Sequence, residues 1–195
     1  MRRLFFLSLV AGLFLGLLYV FHFNRTYSVP FRPLGSGNPV PVVYSPPKTL
    51  KISSIGVNAN VEAVGLDSQK RMGVPSTWGD VAWLKTGYYP GQTGNAVIDG
   101  HLDSATAPAV FWNLSKLIPG DKIQVTDANG KTLTFIVTRK AAYPYNNFPI
   151  NEVFGATDKP MLNLITCDGS WDPYKKIYSD RLVIYSELLG TGNNK

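Results

Sequence analysis

Residues 161–188 read MLNLITCDGSWDPYKKIYSDRLVIYSEL, two apolar runs with a polar segment between them. The runs 161–167 and 181–188 are rich in Leu, Ile and Val, whereas the 13 residues between them carry Gly, Pro, Asp and Ser, which favour a loop. If the runs pair as antiparallel strands, Cys167 ends the first strand and Arg181 begins the second. We therefore expect both side chains to lie at the same edge of a sheet.

Short apolar runs of this kind recur from residue 49 onward, with turn signals between them, which is the pattern of an all-β barrel or sandwich. The predicted strands are 49–55, 59–65, 81–86, 95–99, 121–127, 132–142, 161–167 and 181–188. Asn129-Gly130 predicts a type I′ hairpin between the fifth and sixth strands, and Pro119-Gly120 predicts another turn. Only 108–117 and 149–155 are predicted to be helical.

The N-terminal part of the chain predicts a membrane anchor. Residues 4–21 carry no charge, and these 18 residues, at about 1.5 Å each, span about 27 Å, close to the thickness of the bilayer core. Arg2 and Arg3 precede the run, so the N-terminus is expected in the cytoplasm and the rest of this single-pass protein outside the cell. A cleaved signal peptide is the alternative, although its apolar region usually spans only about 7 to 15 residues.

The predicted domain organisation follows from this anchor. Residues 1–23 form the anchor, and residues 24–48, with six prolines, form an extended extracellular linker. One folded domain is expected over 49–190, followed by a short tail at 191–195. A chain of 195 residues with 45% hydrophobic residues is long enough to bury one such core.

Charge and composition argue against nucleic-acid binding, disulfides and zinc. The net charge is +6, but five basic residues and no acidic ones precede residue 49, which leaves 14 basic against 13 acidic residues in the remainder. No basic run with interleaved aromatics marks a nucleic-acid surface, so we expect no nucleic-acid partner. One cysteine excludes an internal disulfide, and two histidines exclude a Cys/His zinc cluster.

Cys167 is the residue around which chemistry is predicted, although a lone cysteine is more often a small buried hydrophobe. Its thiol, with a reference pKa near ~8.5, needs a proton-transfer partner at neutral pH. His101 follows the apolar run at 95–100 and is the only imidazole beyond the anchor, so it is the predicted partner. The alternative is that it is a structural histidine. Arg181 would favour the thiolate and donate hydrogen bonds to an oxyanion, and the alternative is a pair with Asp180 or another surface carboxylate.

Four segments of this chain resemble the sortases, most of all the group lettered class F. They are VAWLKTGYYPGQTGNAVIDGHLDS (81–104), PAVFWNLSKLIPGDKIQV (108–125), LNLITCDG (162–169) and SDRLVIY (179–185). The resemblance runs from about Leu50 to Leu189. It implies an eight-stranded β-barrel and a cell-surface cysteine transpeptidase that cleaves LPXTG-like sorting signals between Thr and Gly. It also implies that the thioacyl intermediate passes to an amine of a peptidoglycan precursor or a pilin lysine.

The resemblance assigns roles to individual residues. Cys167 is the nucleophile, His101 the general acid and base, Arg181 the substrate and oxyanion stabiliser, and Thr166 a neighbour that contacts substrate. Asp168 departs from the family pattern, in which small residues often follow the cysteine, and we expect its side chain to point away from the sulfur.

A metal site is not predicted. Class A sortases can bind calcium in acidic loops, but the corresponding loop here offers only Glu152 and Asp158. No cofactor is expected.

Two other functions remain for comparison. An L,D-transpeptidase also uses a cysteine on a β-rich scaffold, but those enzymes carry a His-Gly pair before the cysteine, where this chain has Ile165-Thr166. The other is a catalytically silent, membrane-tethered binding module in which Cys167 is buried.

Overall fold

Eight strands form within residues 43–190, the part of the chain that this computed structural model describes. They are β1 (Pro47–Ile52), β2 (Val57–Val64), β3 (Val81–Leu84), β4 (Gly94–Gly100), β5 (Lys122–Asp127), β6 (Thr132–Pro144), β7 (Pro160–Asp172) and β8 (Ile177–Leu188). Each overlaps one predicted strand, so the strand prediction is confirmed. The predicted anchor at 1–23, the linker up to residue 42 and the tail at 191–195 lie outside the described residues. None of the helices in residues 43–190 has the length and apolar character that a membrane span needs.

The strands close into a barrel in the order β1-β2-β3-β4-β7-β8-β6-β5. The pairs β2–β3 and β4–β7 are parallel, and the others are antiparallel. Closure gives β7 and β8 a hydrogen-bonded neighbour on both sides, so neither is an edge strand. Cys167 and Arg181 face each other across the two strands, as expected, but both strands continue past this pair, so the pair does not lie at the strand ends.

The barrel interior is the main hydrophobic core. Because side chains alternate along a strand, Leu162 and Leu164 of β7 point inward together with Leu182 and Ile184 of β8. Burying a side chain of this size contributes roughly 1.5 to 3 kcal/mol to stability. Other fully buried large residues of the same core are Leu50, Ile52, Trp83, Ile98, Phe111, Leu114, Leu117, Ile123 and Phe135.

A second, smaller cluster lies on the outer face of β4, β7 and β8. Ile165, Val183 and Tyr185 point outward and are nonetheless buried. They are covered by the β6–β7 connection (145–159), which contains the short helix α1 (Ile150–Phe154). This helix confirms the prediction for 149–155.

Side-chain amides from the barrel hold α1 in place. Asn163 Nδ2 donates to Val153 O at 2.8 Å, and Asn95 Nδ2 donates to Gly155 O at 2.9 Å. These bonds satisfy carbonyls at the end of the helix that have no partner within it. The connection is therefore fixed against β4 and β7.

The prediction of a helix over 108–117 is wrong. Only a 3-10 turn at Leu114–Lys116 forms there. Phe111, Leu114 and Leu117 are buried at a spacing of three, which matches the period of 3-10 turns. The segment serves to cap the barrel core.

Two turns differ from the sequence prediction. Gly130 has a positive φ of 83°, but Asn129 does not, so the β5–β6 hairpin is not type I′. Asp127 Oδ1 instead accepts hydrogen bonds from the backbone N–H groups of Asn129 and Lys131, which favours a type I turn closed by the glycine. The segment 168–180, predicted to be a loop, is mostly strand, because β7 continues to Asp172 and β8 begins at Ile177.

Candidate active site

Three neighbouring strands bring Cys167, Arg181 and His101 to one level on the outer face of the barrel. Cys167 of β7 pairs directly with Arg181 of β8. On the other side of β7, Asp99 of the parallel strand β4 pairs with Ile165. His101 and Cys167 each stand two residues further along, so they reach the same level. The cysteine thus lies between the two basic residues.

The Cys167 thiol is held in its protonated form. Its side chain is half-buried, and this burial is the main reason why the pKa of the Cys167 thiol is raised. The positive charge of Arg181 opposes the rise, whereas the carboxylates of Asp99 and Asp103 add to it. A reaction that begins at this sulfur therefore needs a base to accept the proton.

The guanidinium of Arg181 is bound by backbone carbonyls. Nη1 donates to Asp180 O at 2.8 Å and to Tyr178 O at 3.3 Å, and Cζ lies 4.8 Å from the centroid of the Tyr145 ring. Within residues 43–190 no carboxylate forms a salt bridge with Arg181. In this structure Arg181 is therefore not paired with Asp180 through its carboxylate, and its other N–H groups are free to bind an oxyanion.

His101 is engaged by the β2–β3 connection (65–80). Its Nε2 lies 3.2 Å from Pro75 O. Because a carbonyl oxygen only accepts, Nε2 carries a proton in this contact. The imidazole centroid lies 4.4 Å from the ring of Trp78, which is itself 54% exposed. The imidazole is thus beside Cys167 in the strand register but hydrogen-bonded to Pro75.

Thr166 faces the barrel interior. Its side chain is 1% exposed, and Oγ1 donates to Gly100 O at 2.7 Å. This bond joins β7 to β4 immediately before His101. The structure therefore gives Thr166 a bond that supports the end of β4, and contact with substrate stays a prediction.

A cleft of about 780 Å³ opens on the same outer face. Asp99, Ile165 and Arg181 form its floor, and the two connections 66–74 and 145–154 form its walls. Most of the lining is apolar and comes from Leu66, Met72, Val74, Leu84, Phe148, Ile150 and Phe154. An apolar cleft with a few polar groups is typical of a ligand-binding site.

Asp99 is a site residue that the sequence analysis did not single out. Its carboxyl is partly buried on the cleft floor, and burial raises the pKa of Asp99 to about 7, against the opposing charge of Arg181. Its position two residues before His101 on a strand was the available signal, because residues so spaced share a face.

Glu152 and Asp158, the two acidic residues considered for a calcium site, both lie in the β6–β7 connection. Glu152, on α1, is ion-paired with Arg139 of β6 and accepts a hydrogen bond from Tyr143. In the part of the chain that the structure describes, no three His, Cys, Asp or Glu side chains are grouped so that they could hold a metal ion.

Comparisons with known proteins agree on one family. A family model described as a sortase domain matches residues 50–189. Sortase C-1 from Actinomyces oris shares 24% identity over 73% of each chain, with a TM-score of 0.58. A lid mutant of sortase A from Corynebacterium diphtheriae shares 22% identity over 81% of this chain and 77% of that one, with a TM-score of 0.59. Pilus island 1 sortase C2 from group B Streptococcus shares 23% identity over 76% of each chain, with a TM-score of 0.57. No curated protein matches the chain.

Proposed function

Because this chain belongs to the sortase family, whose members are cysteine transpeptidases, we propose that it cleaves LPXTG-like sorting signals between Thr and Gly. Cys167 forms the thioacyl intermediate, His101 transfers protons, and Arg181 stabilises the oxyanion. The observation that carries this proposal is the pairing of Cys167 with Arg181 across β7 and β8, because Arg181 also lines the cleft.

In the first half-reaction the sulfur of Cys167 attacks the carbonyl carbon of the substrate threonine. His101 accepts the thiol proton as the C–S bond forms, and the carbonyl π electrons move to the oxygen, where Arg181 donates hydrogen bonds. Collapse of this intermediate breaks the C–N bond, and His101 returns the proton to the leaving glycine amine. The products are a thioester on Cys167 and a free amine.

The second half-reaction reverses these steps with a new amine. The acceptor attacks the thioester carbon and gives its proton to His101, the new C–N bond forms and the C–S bond breaks. The sulfur leaves as thiolate and takes the proton back from His101. Thiol, imidazole and guanidinium thus end as they began, so no cofactor enters the reaction.

The contact between His101 and Pro75 sets a condition for this mechanism. While Nε2–H donates to the Pro75 carbonyl, the nitrogen that can accept the thiol proton is Nδ1, and Trp78 lies against the ring. The β2–β3 connection also forms one wall of the cleft, so a peptide bound there touches the segment that holds His101. Substrate binding and the orientation of the imidazole are therefore linked in our proposal.

The finer assignments complete the proposal. The four segments that resemble class F support that subclass. The uncharged run at 4–21 and the preceding arginines support a single-pass anchor with the catalytic domain outside the cell. The acceptor is then an amine available at the cell surface, on a peptidoglycan precursor or a pilin lysine.

A catalytically silent binding module is the second candidate, because the half-buried Cys167 thiol has a raised pKa. The test is to incubate the full-length protein with a panel of LPXTG-like peptides and to measure the intact mass. The proposal expects a thioester adduct that the Cys167→Ala variant does not form. If peptides bind the cleft but the wild-type protein forms no adduct and releases no glycine amine, the binding module is correct instead.

A further inference from the structure

Tyr178 of β8 contacts three separate parts of the site. Its hydroxyl donates to Asp103 Oδ2 at 2.5 Å, two residues beyond His101. Its carbonyl accepts the hydrogen bond from Arg181 Nη1 at 3.3 Å. Its ring centroid lies 5.2 Å from that of Trp171, its partner across the hairpin. A single residue therefore touches the arginine and the segment that carries the histidine.

We propose that Tyr178 is a positioning residue for the reaction, which joins the β7–β8 hairpin to the segment after β4 and so fixes Arg181 and His101 on either side of Cys167. This inference rests on the proposed function, since it assigns a purpose to that same site.

The strand pairing places Arg181 but does not by itself fix His101. The register between β4 and β7 ends at the pair Asp99 and Ile165, below the level of Cys167. Among the described residues, two side-chain hydrogen bonds join the β7–β8 hairpin to the segment immediately after Asp99. One is from Thr166 to Gly100 O inside the barrel, and the other is from Tyr178 to Asp103. In the second, Asp103 lies two residues after His101, and Tyr178 lies three residues before Arg181.

The chemistry of the Tyr178 contact suits a permanent connection. The adjacent Asp103 carboxylate is the main reason why the pKa of Tyr178 rises to about 12, so the hydroxyl keeps its proton and remains a donor. A hydrogen bond to a charged acceptor is among the stronger ones in proteins. The same hydrogen bond engages the Asp103 carboxylate, whose charge raises the pKa of the Cys167 thiol. The other titratable or charged groups beside that thiol are Asp99, His101 and Arg181.

The experiment compares full-length wild-type protein with Tyr178→Phe, Asp103→Ala and the double variant. Two properties are measured, namely kcat and KM for an LPXTG-like peptide and the pH profile of Cys167 alkylation by iodoacetamide. Each single variant is expected to lower kcat about tenfold with little change in KM, because one charged hydrogen bond is lost. The double variant should lose no more than either single one, since both changes remove the same bond.

The alkylation profiles separate positioning from simple packing. In Tyr178→Phe the profile should move to higher pH, because the unpartnered carboxylate disfavours the thiolate and Arg181 is held less firmly. In Asp103→Ala it should move to lower pH, because that carboxylate is gone. Asp103→Asn keeps an acceptor oxygen, so it should restore kcat to within about threefold of wild type.

Tyr174→Phe is the matched control, since Tyr174 lies in the same hairpin and is 96% exposed. The inference is overturned if Tyr178→Phe behaves like this control, or if the two single effects multiply in the double variant. If wild-type protein acylates no sorting peptide at all, the proposed function fails. The alkylation profiles still decide whether Tyr178 positions the thiol environment.

Discussion

Strands β7 and β8 have two faces that differ in what they contribute. The inner face carries Leu164 and Ile184, fully buried in the barrel core. The outer face, a few residues further along, carries Cys167 and Arg181, both only partly buried. Alternation along the two strands thus places the barrel core on one face and Cys167 with Arg181 on the other. We expect substitutions on the two faces to have separable effects on melting temperature and on turnover.

The largest effect is expected at the sulfur. Cys167→Ala should abolish peptide cleavage, because the chain contains no second thiol, while the melting temperature changes little. His101→Ala should also stop turnover but should still accumulate a slow acyl adduct, which intact mass would reveal. Appreciable cleavage by Cys167→Ala would show that the outer face does not hold the nucleophile.

The next effect tests the inner face. Leu164→Ala should lower the free energy of unfolding by about 2 to 5 kcal/mol, because it removes a fully buried side chain and leaves a cavity. Denaturant titration measures this loss, and Leu189→Ala, at a half-exposed leucine, is the control. The folded fraction should keep its kcat. A variant that is stable but inactive would mean that the two faces are coupled.

Arg181→Lys separates charge from geometry on the outer face. Lysine keeps the positive charge but cannot reproduce the planar set of donors, so kcat/KM should fall by about two orders of magnitude, or roughly 3 kcal/mol. The melting temperature should stay within a few degrees of wild type, because no carboxylate among residues 43–190 depends on Arg181 for a salt bridge. Near wild-type turnover in the lysine variant would leave Arg181 only a long-range electrostatic role.

Asp99→Asn should give the smallest effect and the one that depends on pH. Burial raises the pKa of Asp99 to about 7 in the folded protein from an ordinary value of 3.8, so the folded state binds the extra proton. Wild-type stability therefore falls as pH rises from about 4 to about 7, and the penalty is fully present above pH 7. The stability of the asparagine variant should not fall in this range, and at alkaline pH its free energy of unfolding should exceed that of wild type by roughly 1 to 3 kcal/mol. Partial exposure of the carboxyl keeps this difference small. Thermal melts across this range would measure it, and parallel curves for the two proteins would contradict the assignment.

The local features of the fold were predictable from the sequence. Each strand is specified by its own apolar pattern, and the pairing of Cys167 with Arg181 follows from a hairpin whose two runs are close in the chain. The resemblance to sortases also gave the eight-stranded barrel that the structure has.

The long-range features could not be derived from spacing. The parallel pairing of β4 with β7, which brings His101 to the level of Cys167, joins residues more than 60 positions apart. The contacts of His101 with Pro75 and Trp78 depend on how an irregular connection folds back, and no periodicity encodes that. The segment 108–117 was mistaken for a helix because apolar residues three apart fit either helix type over a short length.

The protonated state of the Cys167 thiol also bears on how the protein withstands oxidation. Oxidation to sulfenic acid begins from the thiolate, so burial that raises the pKa of Cys167 slows this damage. The chain contains no second cysteine that could convert a sulfenic acid into an internal disulfide. A thiol that restores an oxidised Cys167 therefore has to come from another molecule, and the side chains that cover the sulfur protect it in the resting protein.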